Sequence, residues 1–287
     1  MLQTAASASA VAASPSRAPL VLSSERRWFR VDLADLWRYR ELLFFLTWRD
    51  VKVRYKQTVL GAAWALIQPL MTMVIFTVIF GRIAKLPSEG VPYPLFTFTA
   101  LLPWQLFAFA LSNASNSLVG NQNLVSKVYF PRLVVPIAST LPGLVDFGIS
   151  LVVLLVMLLG YGVHIGPRIL AIPLFLLLTM ASALAVGLWF SALNVQYRDV
   201  RYVVPFLATM WQYASPIGYS GTLVPGRWRW LYDLNPMTGV ISGFRWCLLG
   251  IGSIDRSVGL SACAITLLLV TGFIYFKRME DTFADVI

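Results

Sequence analysis

The stretch WRDVKVRYKQTVLGAAWALIQPL, Trp48 to Leu70, crowds charge and then abandons it. Arg49, Asp50, Lys52, Arg54 and Lys56 fall within eight positions, and no charged residue follows until Arg82. A charge-free run of this length is enough to cross hydrocarbon as a helix, which takes about 20 apolar residues. The basic segment is therefore pressed against a membrane crossing. Upstream, Leu42, Phe45, Trp48, Val51 and Tyr55 recur every three or four residues, the spacing of one helix face. Arg49, Lys52 and Lys56 share another face. A helix with an aromatic-aliphatic side and a basic side is expected to lie in the headgroup plane.

Composition agrees. Of 287 residues 58% are hydrophobic and 13% charged, with a mean hydropathy of +0.72. Soluble domains carry roughly 25% charged residues, so a water-soluble fold is excluded. The fold class read from the sequence is an all-α integral membrane protein. It has six transmembrane helices, an N-terminal amphipathic interface helix and a re-entrant outer segment between spans five and six. The spans are Ala62–Phe80, Leu95–Ser112, Val134–Gly160, Ile169–Leu193, Val203–Ser220 and Val258–Phe276. Residues 1–27, rich in Ala and Ser, read as a disordered cytoplasmic tail. Residues 28–61 form the cytoplasmic interface segment, residues 62–277 the permease domain, and residues 278–287 a second cytoplasmic tail.

The net charge of +10 does not imply nucleic acid, because membrane proteins gather Lys and Arg on the cytoplasmic side. With six spans, sixteen Lys/Arg lie on the side of the termini and seven on the other. Both termini are thus expected in the cytoplasm of a multi-pass inner (plasma) membrane protein. Gly221 to Ser257 lies outside and holds an apolar stretch, Met237 to Ile251, too short to span. Such a run beside a true span suggests a re-entrant or interfacial helix. Asn113 to Leu133 is read as an inside loop with a polar start, SNASNSLVGNQN, and Leu124 to Arg132 as a short helix parallel to the membrane.

Little in the chain suits an enzyme. There is one histidine, His164, so a His-based metal site is not expected. The two cysteines, Cys247 and Cys263, lack metal-ligand spacing and read as small packing residues. No G-x-x-x-x-G-K-[ST] run cradles a phosphate, so ATP-driven work would need another chain.

The opening segment resembles the N-terminal signature of permease subunits of ABC-type polysaccharide exporters, those for O-antigen, capsule and teichoic acid. LNVQYRDVRYVVPF, Leu193 to Phe206, resembles that family's turn between spans four and five. LNPMTGVISGFRWCLLG, Leu234 to Gly250, resembles its re-entrant segment. The three pieces stand in the family's order. The resemblance implies a homodimer with two copies of a separate ATP-binding subunit. That subunit would use ATP and Mg, with no cofactor or catalytic residue in this chain. It also implies a lipid-linked glycan moved outward, among membrane lipids and without nucleic acid. A drug or haem exporter permease, or a stand-alone proton-coupled carrier, are the alternatives.

Candidate residues follow from topology and resemblance. Arg49, Lys52, Arg54 and Lys56 are the cluster nearest a cargo phosphate, or equally an attraction for anionic lipid. The family places its coupling helix on the second connection. There Lys127, Tyr129, Phe130 and Arg132 mix charge with aromatic anchors for an ATPase partner, for which the amphipathic segment Leu42–Tyr55 is the other candidate. Tyr197, Arg198 and Asp199 form an inside turn, with Arg198 and Asp199 expected to brace two span ends as a pair. Trp211 and Tyr213 are candidates to line the glycan path, against the alternative of an interfacial aromatic belt. Asp146 is the one acidic residue deep in a span, either a functional carboxylate or a packing group facing a watery cavity.

Overall fold

The basic segment forms a helix because nothing in it interrupts one. Arg40–Lys56 (α1) contains neither Gly nor Pro. Glu41 lies in its first turn and Arg54 and Lys56 in its last, each charge at the dipole end that favours it. The structure, a computed structural model, describes residues 37–56, 61–164, 166–254 and 256–283. The expected tail 1–27, and the start of the interface segment, lie outside the described residues. The described residues are mostly helical, with no strand among them.

Gly61–Phe76 (α2) contains Pro69 and runs on as a π-helical turn, Thr77–Ile83. Tyr93–Gly120 (α3) starts behind Pro92 with Pro94 in its first turn, where a missing N–H costs nothing. Gln122–Lys127 (α4) and Val134–Thr140 (α5) follow, then Gly143–Gly160 (α6). A 3-10 turn at Pro167–Ala171 leads into Ile172–Gln196 (α7). Val200–Ala214 (α8), Gly226–Asp233 (α9), Pro236–Leu248 (α10) and Arg256–Met279 (α11) complete the order.

Five helical stretches among the described residues are long and apolar enough to cross a membrane: 63–83, 93–120, 134–160, 167–196 and 256–279. The expected span Val203–Ser220 is not one of them. Its helix stops at Ala214 after 15 residues, because Pro216 has no N–H to continue the ladder. The expected loop from Asn113 is also corrected, since α3 continues to Gly120. Its polar side chains turn back onto their own helix. Asn113 Nδ2 donates to Phe109 O at 2.8 Å, Ser115 Oγ to Leu111 O at 2.7 Å, and Asn116 Nδ2 to Ser112 O at 2.9 Å. Satisfied in this way, such residues stay helical instead of opening a turn. The short helix expected over Leu124 to Arg132 is α4, which ends at Lys127 with Val128 extended.

α3 is the central post. Of its apolar window 78% is buried, against 17% for α2 and for α11, which lie at the periphery. It packs along α7, where a Cβ on Gly187 would fall 2.7 Å from Ala114 Cβ. Small residues allow this approach between membrane helices. Phe98, Leu101, Phe107 and Leu111 of α3 share one core with Phe175 of α7 and Phe244 of α10. A second cluster joins Leu46 of α1, Leu118, Val125, Phe130 and Phe276. The stretch expected to be re-entrant is a 13-residue helix, α10, about 20 Å long by its rise. Its residues are almost all buried. Cys247 is buried with it, whereas Cys263 is exposed on α11 and does not pack as expected.

Candidate functional site

α1 is sewn to the helix ends beside it by its own polar residues. Arg54 Nη2 bonds Asp146 Oδ2 of α6 at 2.6 Å, and the Tyr55 hydroxyl donates to Asp146 Oδ1. The Arg54 guanidinium also lies 4.6 Å from the centre of the Phe109 ring on α3. Arg49 Nη2 reaches Asn121 Oδ1 beyond the end of α3 at 2.9 Å, while its Nε holds Asp50 at 2.9 Å. Thr47 Oγ1 lies 3.3 Å from Ala138 O of α5. Burial first, and the Asp146 carboxylate second, push Tyr55 up to about 12. Tyr55 therefore remains a donor at any physiological pH.

The helix does not split into the two expected faces. Leu46 is its buried contact, while Phe44, Phe45, Trp48 and Val53 are exposed. Leu42, Val51 and Tyr55 are intermediate. Lys52 and Lys56 are exposed, with Lys52 Nζ 5.8 Å from the Trp48 ring centre. The four basic candidates thus separate. Arg49 and Arg54 serve neighbouring helices, and Lys52 and Lys56 face outward.

Behind the Arg54–Asp146 pair lies a cavity of about 380 Å³ between α2, α3 and α6. Gln68, Gln105 and Asn113 supply amides to its wall, and Trp64, Phe98 and Phe109 supply rings. Its two charges, Arg54 and Asp146, cancel. Asp146 is therefore not the lone carboxylate that the sequence suggested, because a cation and a phenol both hold it.

The second connection places its residues apart. Tyr129 is 97% exposed, whereas Phe130 is buried in the cluster around Phe276. Lys127 is exposed and Arg132 intermediate. The Arg132 backbone N–H donates to Glu280 Oε1 at 3.1 Å, and Lys277 pairs with the other oxygen at 2.6 Å. Phe130 anchors the connection and Tyr129 projects from it.

Tyr197, Arg198 and Asp199 do form a turn, all three exposed. The expected brace is absent: among the described residues no ion pair joins Arg198 to Asp199. Asp199 starts α8 through its backbone, with its carbonyl accepting from Tyr202 and Val203.

The two aromatic candidates also differ. Tyr213 is exposed beside Phe76, with 6.3 Å between ring centres. Trp211 packs edge-on against Phe107 at 5.1 Å and donates Nε1 to Asn235 Oδ1 at 2.8 Å. Trp211 is thereby a structural partner of Asn235. That asparagine also caps α10 through Met237 N at 3.0 Å and donates to Ser215 Oγ at 3.0 Å. Replacing an Asn cap with Ala costs about 1–2 kcal/mol, and here two further bonds go with it. Asn235→Ala is expected to lower the melting temperature of the detergent-solubilised protein by about 5 °C. An unchanged melt would show that water replaces the cap.

Sequence reasoning gave no role to Asn121, Gln105, Tyr93 and Arg245, and read Tyr55 only as part of a helix face. The signal for Arg245 was present, because an arginine inside an apolar run too short to span has to be buried against something.

The sequence has relatives among known proteins. The family profile for the ABC-2 type transporter matches residues 41–249. The O-antigen export system permease protein RfbA of Myxococcus xanthus is 28% identical over 258 residues, 88% of this chain and 98% of that protein. RfbA of Klebsiella pneumoniae is 28% identical over 86% of this chain and 95% of its own length. The polysialic acid transport protein KpsM of Escherichia coli is 23% identical over 81% and 91%. The matched region runs from α1 to the end of α10, so the Arg54–Asp146 pair, the cavity and the buried α10 all fall inside it. The chain is a multi-pass membrane protein and belongs to the ABC-2 type transporter family.

Proposed function

We propose that this chain is the permease subunit of an ATP-driven exporter that moves a lipid-linked polysaccharide of the O-antigen type outward across the inner membrane. The observation that carries this reading is similarity along nearly the whole length of the O-antigen export permeases. The likeness to the Escherichia coli inner membrane transport permease YadH covers less, 66% of this chain. A proton-coupled carrier is disfavoured by Asp146, because its carboxylate is already engaged by Arg54 and Tyr55 and, among the described residues, no second acid or histidine lines the cavity beside it.

In this reading α8 and the residues after it complete a sixth crossing, and the Lys/Arg bias keeps both termini in the cytoplasm. Two copies enclose the path, with the exposed apolar faces of α2 and α8 turned toward each other. An ATP-binding subunit docks where Tyr129 projects between the exposed Lys127 and the α11 end held by Glu280. α1 is the movable door of the cytoplasmic entrance, latched by Arg54 and Asp146. Lys52 and Lys56 meet the diphosphate of the lipid carrier. The neutral cavity, with its amides and rings, suits a sugar ring better than a phosphate.

Purification in mild detergent tests the assembly. A stoichiometric ATP-binding subunit is expected, with hydrolysis above that of the subunit alone. A lone chain, in a detergent that preserves comparable complexes, would overturn the reading. Tyr129→Ala is expected to cut the permease-stimulated hydrolysis at least tenfold while leaving the melting temperature unchanged. Retained stimulation would move the docking surface elsewhere.

A further inference from the structure

Between α8 and α9 the chain leaves the helix at Ser215 and makes only a single 3-10 turn at Gly221–Leu223. Ser215, Pro216, Ile217, Gly218 and Ser220 are nevertheless buried. Pro216 has no N–H, and Ile217 N–H bonds only to Ser215 O, at 2.7 Å. No helix ladder holds this stretch, and side chains hold it instead. Arg245 Nη2 donates to Ile217 O at 3.1 Å, the Tyr93 hydroxyl to Gly218 O, and the Ser220 hydroxyl to the Glu89 carboxylate. Asn235 Nδ2 holds Ser215 Oγ from α10. The seat is close-fitting, since a Cβ on Gly218 would lie 2.8 Å from Phe80 Cδ2. Phe80 belongs to the π-helical turn, a feature frequent at functional sites.

Irregular backbone at membrane depth is tolerated only where protein or a water-filled cavity satisfies it. Here the satisfying groups sit on different elements. Glu89 and Tyr93 belong to the loop before α3 and to its first residue, whereas Asn235 and Arg245 belong to α10. The stretch can therefore part from Glu89 and Tyr93 without breaking a bond of any helix ladder. Arg245 anchors the stretch from within the core. It is 5% exposed and lies 3.5 Å from the centre of the Phe96 ring. No carboxylate pairs with it among the described residues, and its Nε has no protein partner. A buried guanidinium with an idle donor is costly to keep and marks a contact that another conformation would complete.

We propose that residues 215–220 form a strap across the outer end of the transport path, positioned by Arg245, and that the strap lifts from Glu89 and Tyr93 when cargo passes. The placement follows from the exposed apolar residues of α8, Phe206, Met210 and Tyr213, and of α2, Met71, Val74 and Ile75. Two copies joined by those faces put the strap at the outer mouth. The inference rests on the exporter reading and its orientation.

Glu89→Cys and Ser220→Cys are combined in a chain carrying Cys247→Ala and Cys263→Ser, expressed in a host deleted for the parent gene. Cells are treated with a reducible bifunctional thiosulfonate, and surface glycan is measured. Bridging, confirmed by mass spectrometry, is expected to reduce surface glycan at least tenfold, and dithiothreitol to restore it. Export unchanged by the bridge would overturn the strap. A second measurement follows labelling of Ser220→Cys by a membrane-impermeant maleimide. Labelling is expected to be at least tenfold faster beside an active ATP-binding subunit than beside a hydrolysis-deficient one. Arg245→Gln is expected to speed labelling in the resting state, and Arg245→Lys to keep it slow. Equal labelling in all four conditions would also overturn the proposal. Absence of surface glycan with the parent chain would instead strike the exporter reading.

Discussion

Asp146→Asn is expected to reduce surface glycan by about tenfold at unchanged protein level. The substitution preserves shape but removes the charge that faces Arg54 at 2.6 Å and accepts from Tyr55. The pair is partly wet, with side-chain exposures of 41% and 19%. Exposed pairs contribute about 0–1 kcal/mol and breaking a buried pair costs about 3–5 kcal/mol. This one is expected near 1–2 kcal/mol, a factor of about 5–30 in the latched population. In the proposed reading, a door that no longer rests shut admits cargo out of step with ATP. Arg54→Gln should lose the same amount, and the double variant no more than either single one. The charge swap Arg54→Asp with Asp146→Arg should recover most of the export. That recovery separates a latch from a cargo site, because a phosphate held by Arg54 could not be held by an aspartate in its place. Additive losses in a double-mutant cycle of export, with no rescue by the swap, would sink the latch.

The opening stretch could be read as a helix abutting a crossing because charge and hydropathy change sharply at Lys56, and both signals are local. Its inward face could not. Phe45 and Trp48 share a spacing with Leu42 and Tyr55, yet Leu46, outside that spacing, is the residue that buries. Five consecutive apolar or aromatic residues, Leu42 to Leu46, offer helical spacing several faces at once. The partner of Asp146 was hidden for a different reason. Arg54 lies 92 positions away, and a lone carboxylate in a span announces a need for a partner without naming it. The polar run after Asn113 misled because Asn and Ser usually mark turns. Here their side chains close onto carbonyls one turn back, which only coordinates reveal. The fifth expected span was read from hydropathy, which does not register that Pro216 ends the ladder. Arg198 next to Asp199 looked like a brace because opposite charges adjoin, but neighbours in a turn can diverge into water.

Gly243→Val should have the largest effect on the protein itself, and it follows from spacing alone. Gly239 and Gly243 stand four residues apart on α10, one helical turn. A Cβ at Gly239 would lie 2.7 Å from Ser261 Cβ and 2.9 Å from Val258 Cα of α11. One at Gly243 would enter the Phe175 ring of α7, 1.9 Å from Cε1. Phe175 cannot swing aside. It is buried, and Phe244 lies against it at 6.4 Å with Phe147 at 5.9 Å beyond. Membrane helices gain no hydrophobic drive from one another, so close contact through small residues supplies much of their association. Pushing α10 off α7 forfeits that contact and moves Asn235 and Arg245 with it. Overpacking costs about 1–3 kcal/mol in adaptable cores and more where the neighbour is fixed. Gly243→Val is therefore expected to cost about 3 kcal/mol or more and to lower the membrane level of the protein at least fivefold. Gly259 of α11 provides the contrast. Nothing lies within 4 Å of its added Cβ, and Ala is the better helix former by about 1 kcal/mol. Gly259→Ala should accumulate like the parent and melt no lower. Parental level and melting temperature for Gly243→Val would mean that α10 is not held against Phe175 in the membrane.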